Sequence, residues 1–151
     1  MTNPTSIDET APVLAHHQID IRAPLEKVWA LHVDVNGWTR WNLDMTAARI
    51  AGSFMPGASF DWESYGFPVT STIYTVDAPH RILWGGGGNG VTAIHEWRFT
   101  PIDGGVRVAT DESFAGEAVV ANVGAIKSLL DASLAAWLKS LKVAAESSAT
   151  S

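Results

Sequence analysis

Between residues 46 and 114 apolar residues recur at every second position, and the breaks between the runs are short. The separators are Met55-Pro56-Gly57, Gly66-Phe67-Pro68, Asp77-Ala78-Pro79 and Asp103-Gly104-Gly105. Alternation of this kind marks strands with one buried face. Connections this short join strands only in the antiparallel sense, because a parallel crossover needs about a dozen residues or more. Strands are therefore expected at 46–51, 58–66, 68–77, 80–85, 91–100 and 105–114. After Gly116 the period changes. Over about 117–146, Val123, Ile126, Leu130, Leu134, Trp137 and Leu141 form one apolar stripe, with Lys127, Asp131, Lys139 and Lys142 outside it. Such a chain must lay one long helix on one face of an antiparallel sheet.

Upstream, residues 13–22 alternate well enough to be a first strand. Pro24 opens a helix over about 24–35, where its missing N–H is harmless. Asn36-Gly37 stops that helix, and 38–42 suggests a second, short one. The expected order is β-α-α-β6-α in a single α+β domain over 11–146, with Ser/Thr-rich tails at 1–10 and 147–151. No repeat or linker divides it, and 151 residues suit one compact unit.

Composition narrows the function. A formal charge of −6, with ten scattered Lys and Arg, argues against nucleic acid and against anionic membrane surfaces. No cysteine is present, which removes disulfides, thiolate nucleophiles and Cys-based metal sites. The opening MTNPTSIDET lacks the basic and apolar regions of a signal peptide, and no apolar stretch approaches the roughly 18 residues of a membrane span. A soluble, cytoplasmic protein with no integral membrane association is expected. Seven tryptophans against two tyrosines are the odd feature. They either fill a large core or line a large cavity.

Strand register sharpens that question. A hairpin turning on Asp103-Gly104 sets Trp97 opposite Thr110, Phe99 opposite Val108 and His95 opposite Glu112. Extended across the other turns, one face collects Phe60, Trp62, Val69, Ser71, Ile73, Thr75, Ile82, Trp84, His95, Trp97, Thr110 and Glu112. The other collects Asp61, Glu63, Tyr65, Thr72, Arg81, Glu96, Arg98, Arg107 and Asp111. A slip of one residue would bury the charged set, so the first face must meet the long helix. His95 and Glu112 are thereby expected to point inward among aromatic rings. A carboxylate facing an imidazole there favours imidazolium and can move a proton; equally, the two can be a mutually satisfied polar pair.

The run Ile21 to Asn42 (I-R-A-P-L-E-K-V-W-A-L-H-V-D-V-N-G-W-T-R-W-N) resembles the opening of the START/Bet v 1-like (SRPBCC) superfamily, in particular its polyketide cyclase/dehydrase and lipid-transport branch. The segment from His95 to Val108 (H-E-W-R-F-T-P-I-D-G-G-V-R-V) resembles the late hairpin of that branch, and Glu112-Ser113-Phe114-Ala115-Gly116 the stretch before its final helix. The resemblance implies the helix-grip fold, a curved antiparallel sheet around a long C-terminal helix enclosing a hydrophobic cavity. It implies a hydrophobic, aromatic or polyketide-type small molecule as partner, no cofactor, and a monomer or homodimer. On this reading His95 and Glu112 are acid–base candidates for cyclisation or dehydration. Phe60, Trp62, Ser71, Ile73, Trp84, Trp97 and Thr110 line the wall, Trp41 lies near the mouth, and Val123, Ile126 and Leu130 face the ligand from the helix. A non-catalytic carrier or sensor of a hydrophobic metabolite or lipid shares every one of these features. A helper domain acting on other proteins would need an interaction face that the sequence does not display.

Other motifs carry less. Gly85-Gly86-Gly87-Gly88-Asn89-Gly90 contains G-x-G-x-x-G but leads into a strand, so no helix N-terminus awaits a pyrophosphate, and a hairpin loop is expected there. His16 and His17 point to opposite faces of a strand, His95-Glu96 does not begin H-E-x-x-H, and no metal site is expected. His32 is expected to be partly exposed or to cap its helix.

Overall fold

The computed structural model describes residues 3–147. Its strands are β1 (Val13–Ile21), β2 (Met45–Ile50), β3 (Ser59–Ser64), β4 (Phe67–Asp77), β5 (Arg81–Gly88), β6 (Val91–Ile102) and β7 (Gly105–Ala115). Helices α1 (Leu25–Val33) and α2 (Trp38–Trp41), joined by a 3-10 turn at Val35–Gly37, sit between β1 and β2; α3 (Glu117–Val120) and α4 (Val123–Glu146) close the chain. The strands form one seven-stranded antiparallel sheet in the order β1-β7-β6-β5-β4-β3-β2. It curls into a half-barrel gripping α4, the expected helix-grip architecture.

The register of β6 on β7 is the expected one: His95 pairs with Glu112, Trp97 with Thr110 and Phe99 with Val108. Three local expectations are corrected. The glycine run is not a loop, because Gly85–Gly88 continue β5 against β6 and only Asn89-Gly90, both at positive φ, make the turn. A Cβ at Gly86 would lie 2.5 Å from the Thr70 carbonyl oxygen, so the approach of the two strands there demands glycine. In β4 the register slips at Tyr74, which turns Thr75 outward with Leu83 and brings Val76 in beside Ile82. The final helix is interrupted at Ala121-Asn122.

Residues 3–10 also depart from the expected tail. The Asp8 N–H donates to Ser113 Oγ at 3.0 Å, and Arg81 Nη2 donates to the Thr5 carbonyl at 2.9 Å. Ile7, Leu83 and Ser113 are buried. This strap crosses the convex face, where Arg81 pairs with Glu96, and where His16 and Arg98 both pair with Asp111. Of the other expected tail, residues 148–151 lie outside the described residues.

The concave face and the helices enclose an aromatic core in which His32, Trp38, Trp84, Trp97 and Phe99 are no more than 1% exposed. No described helix is long and apolar enough to cross a membrane.

Candidate functional site

Alternation along adjacent strands aims Trp62, Ser71, Trp84, His95 and Glu112 at one space beneath α4. That space is a cavity of about 520 Å³, closed above by Ile126, Leu130, Leu134 and Trp137 of α4. Its volume falls within the roughly 300–1,000 Å³ of small-molecule sites. β4 and β5 pair only from Thr72–Gly85 to Asp77–Arg81. Beyond that point the β4–β5 ladder ends, and Phe67 to Ser71, still paired with β3, and Gly85 to Asn89, whose glycines are still paired with β6, line the cavity. Tyr65, Phe67 and Leu129 are exposed there and mark the mouth.

Of the expected ligand-contacting residues, Trp62, Ser71, Trp84, Ile126, Leu130, His95 and Glu112 line the cavity. The remaining ones do not. Phe60 packs edge-on against Trp38 and Trp84, with ring centres 5.4 and 5.2 Å away. Ile73 and Trp97 are wholly buried in the same core. Thr110 lies behind His95 and not on the cavity, Trp41 is half-buried against the core, and Val123 is exposed at the start of α4. Trp137, whose stripe position suggests plain core, instead separates cavity from core. It lines the cavity and stands 5.0 Å from Trp97. Asn42 and Met45 also reach the wall, without a sequence signal to single them out.

His32 is the clearest correction among the histidines. It is fully buried, neither ring nitrogen has a hydrogen-bond partner among the described residues, and its ring lies 4.1 Å from Trp97 and stacks on Trp84. Desolvation pushes it down to about 3, so it is a neutral ring in the core.

His95 and Glu112 are the polar centre of the cavity wall. The His95 Nε2 lies 2.6 Å from Thr110 Oγ1, and the Thr110 hydroxyl donates to the Glu96 carbonyl at 3.3 Å. Thr110 has one proton to give, so the network assigns the N–H of His95 to Nε2 and leaves Nδ1 as an acceptor. Nδ1 faces Glu112 Oε1 at 3.4 Å. Desolvation raises Glu112 to about 8 and holds His95 well below its ordinary value, the latter aided by the nearby His32. The expectation of imidazolium beside carboxylate is thus overturned. Burial outweighs the mutual attraction, and at neutral pH the pair is a carboxylic acid whose proton faces a neutral imidazole.

Among the described residues no Lys or Arg lines the cavity, and no three His, Asp or Glu side chains are grouped to hold a metal. Trp62 Nε1 donates to Ser71 Oγ at 3.0 Å, which fixes that ring against the wall.

Residues 12–146 match the family model described as polyketide cyclase / dehydrase and lipid transport. Solved structures share the fold at low identity. A hypothetical protein of Helicobacter pylori superposes with a TM-score of 0.81 at 17% identity, over 97% of this chain and 99% of that one. An aromatase/cyclase, ZhuI, from Streptomyces sp. R1128 gives 0.78 at 17% identity, over 91% and 97%. A START superfamily protein from Mycobacterium smegmatis gives 0.74 at 13% identity, over 88% and 97%. No curated protein sequence matches the chain.

Proposed function

The chain belongs to the polyketide cyclase / dehydrase and lipid transport family, and from that premise we propose that it takes a hydrophobic, ring-containing or polyketide-type carbonyl compound into its cavity and uses Glu112 and His95 to dehydrate or cyclise it. The observation that carries this reading is an acid held protonated up to about pH 8 on the wall of a chamber that also presents Trp62, Trp84, Trp137 and aliphatic side chains. Environments that shift a carboxyl group this far are characteristic of acid–base sites.

Glu112 reaches the ligand first, since it is 8% exposed against 1% for His95. In dehydration of a β-hydroxy ketone its proton passes to the leaving hydroxyl, the C–O bond breaks, and water departs. The α-proton is taken up by the carboxylate so formed, the C=C bond closes, and the acid is regenerated. His95 stands behind with its Nδ1 lone pair toward Glu112, so it orients the acid and can hold its proton while a ligand is repositioned. The indole faces of Trp62, Trp84 and Trp137, tilted against one another, favour a ring-containing substrate and keep water from the reacting atoms.

A carrier or sensor without chemistry is the second reading, favoured by the fact that both ring nitrogens of His95 are engaged before any ligand arrives. Native mass spectrometry of the purified protein identifies a retained ligand. Turnover and binding of that compound are then compared in the wild type, Glu112→Gln and His95→Gln. Lost turnover with retained binding supports the enzyme. Turnover that survives both substitutions removes the proton-transfer role of this pair, and binding with no turnover even in the wild type leaves the carrier.

A further inference from the structure

Asn42 ends α2, where its backbone N–H bonds the Trp38 carbonyl at 2.8 Å and its own carbonyl receives the Met45 N–H at 3.1 Å. Its side-chain Oδ1 accepts the Asp44 N–H at 3.2 Å, which also settles which end of the carboxamide is oxygen. The residue is 2% exposed and lines the cavity. Among the described residues nothing accepts a hydrogen bond from its Nδ2. The turn requires only the oxygen, which aspartate or serine would also supply. The two N–H groups are therefore surplus to the fold and remain open to a ligand in the cavity.

Ser71, 3% exposed on the same cavity, shows the same bias. Its oxygen accepts from Trp62, and its own proton has no acceptor among the described residues. The hydrogen-bonding capacity left open to a ligand by these two side chains is donor capacity. It comes without a cation, since no described Lys or Arg lines the cavity, and with the acids Glu112 and Asp44 on its wall. Donors without positive charge suit an uncharged oxygen and disfavour a carboxylate or phosphate.

We propose that Asn42 is a specificity-determining residue of the cavity, whose carboxamide N–H groups, with the Ser71 hydroxyl as a second donor, select an uncharged ligand bearing a carbonyl oxygen. The inference rests on the cavity being the ligand chamber, and it adds which ligands the chamber prefers. Sheet order sets four strands between β2, whose foot Asn42 occupies, and β7, which carries Glu112. A ligand held by both therefore carries oxygen functions at separated positions on an apolar body.

The test uses α-tetralone, tetralin and a tetralin carboxylate as probes, with calorimetric titration of the full chain. Wild type is expected to bind tetralone about tenfold more tightly than tetralin, the worth of one net hydrogen bond, and to bind the carboxylate worst. Asn42→Asp keeps the turn while exchanging donors for acceptors, so the tetralone preference is expected to vanish while tetralin affinity stays the same. Asn42→Ser, which also keeps the turn, reads the same ratio should the aspartate variant fail to fold. A preference that survives in the folded variants, or a wild type that binds tetralone and tetralin alike, overturns the role of Asn42 alone. Failure of every probe to bind wild type overturns the ligand chamber itself.

Discussion

The space between the sheet and α4 is solid at one end and hollow at the other, and each end holds a buried histidine. At the solid end His32 sits among Trp38, Trp84, Trp97 and Phe99 with no hydrogen bond to either nitrogen. At the hollow end His95 has Thr110 on one side and Glu112 on the other. Burial makes both rings neutral, so neutrality does not distinguish them. What distinguishes them is a partner that also titrates and opens on a cavity. Desolvation sets a protonation state; a proton can be exchanged only where a second group and an approach for ligand are present.

The largest effect expected from this division is on packing. Trp97→Ala at the solid end removes a wholly buried indole whose neighbours cannot collapse into its place, and costs about 3–5 kcal/mol. Trp62→Ala at the hollow end enlarges a space that already exists and loses one hydrogen bond to Ser71, for about 1–2 kcal/mol. Urea denaturation of the two variants measures the difference. Equal losses would mean that the cavity is filled or collapsed in solution.

The next effect separates the two ends by pH. Glu112 is raised from 4.5 to about 8 on folding, so its stabilising contribution is complete below pH 4.5 and is lost as pH rises toward 8. The histidines run the other way. Lowered from 6.5, His32 and His95 stabilise fully above 6.5 and lose that contribution as pH falls. Between 4.5 and 6.5 the slopes oppose each other, and from 6.5 to 8 only the Glu112 slope remains of the three. Stability is expected to decline by about 2 kcal/mol over that upper interval, at about 1.4 kcal/mol per unit. Glu112→Gln is expected to flatten the decline, as followed by thermal or urea unfolding at fixed ionic strength. A decline that persists in this variant would place its origin elsewhere.

These contrasts were unequally legible in the sequence. Turn chemistry at Asp103-Gly104 sets the β6–β7 register, and from it the facing of His95 and Glu112 comes by counting. The same alternation puts Trp84 and Trp97 on one face, yet one lines the cavity and the other is core. A period of two reports which face a side chain takes, not how far away the opposing helix stands. Charge state was illegible for a related reason. The types His and Glu suggest an ion pair, and only the depth of burial, set by α4 and the strands together, reverses that. Asn42 carries no periodic signal, because its place on the cavity comes from where α2 ends. His32, on a helix with modest apolar character, is placed inside only by the packing of α1 against β6 and α4.

The smallest expected effect bears on why the solid end contains a histidine. Phenylalanine at position 32 would keep an aromatic ring against Trp84 and Trp97 and leave no ring nitrogen without a partner. Removing buried polar atoms that make no hydrogen bond is neutral to favourable where the shape is retained, and the slightly larger ring sets a limit on the gain. His32→Phe is therefore expected to stabilise the protein by up to about 1 kcal/mol near pH 7. A larger gain is expected below pH 6.5, because the substitution also deletes one of the groups that the unfolded chain protonates first. A loss of stability at pH 7 would show that the ring nitrogens of His32 are satisfied in solution. The solid end would then hold a polar contact of its own, and the contrast with His95 would narrow to the presence of Glu112.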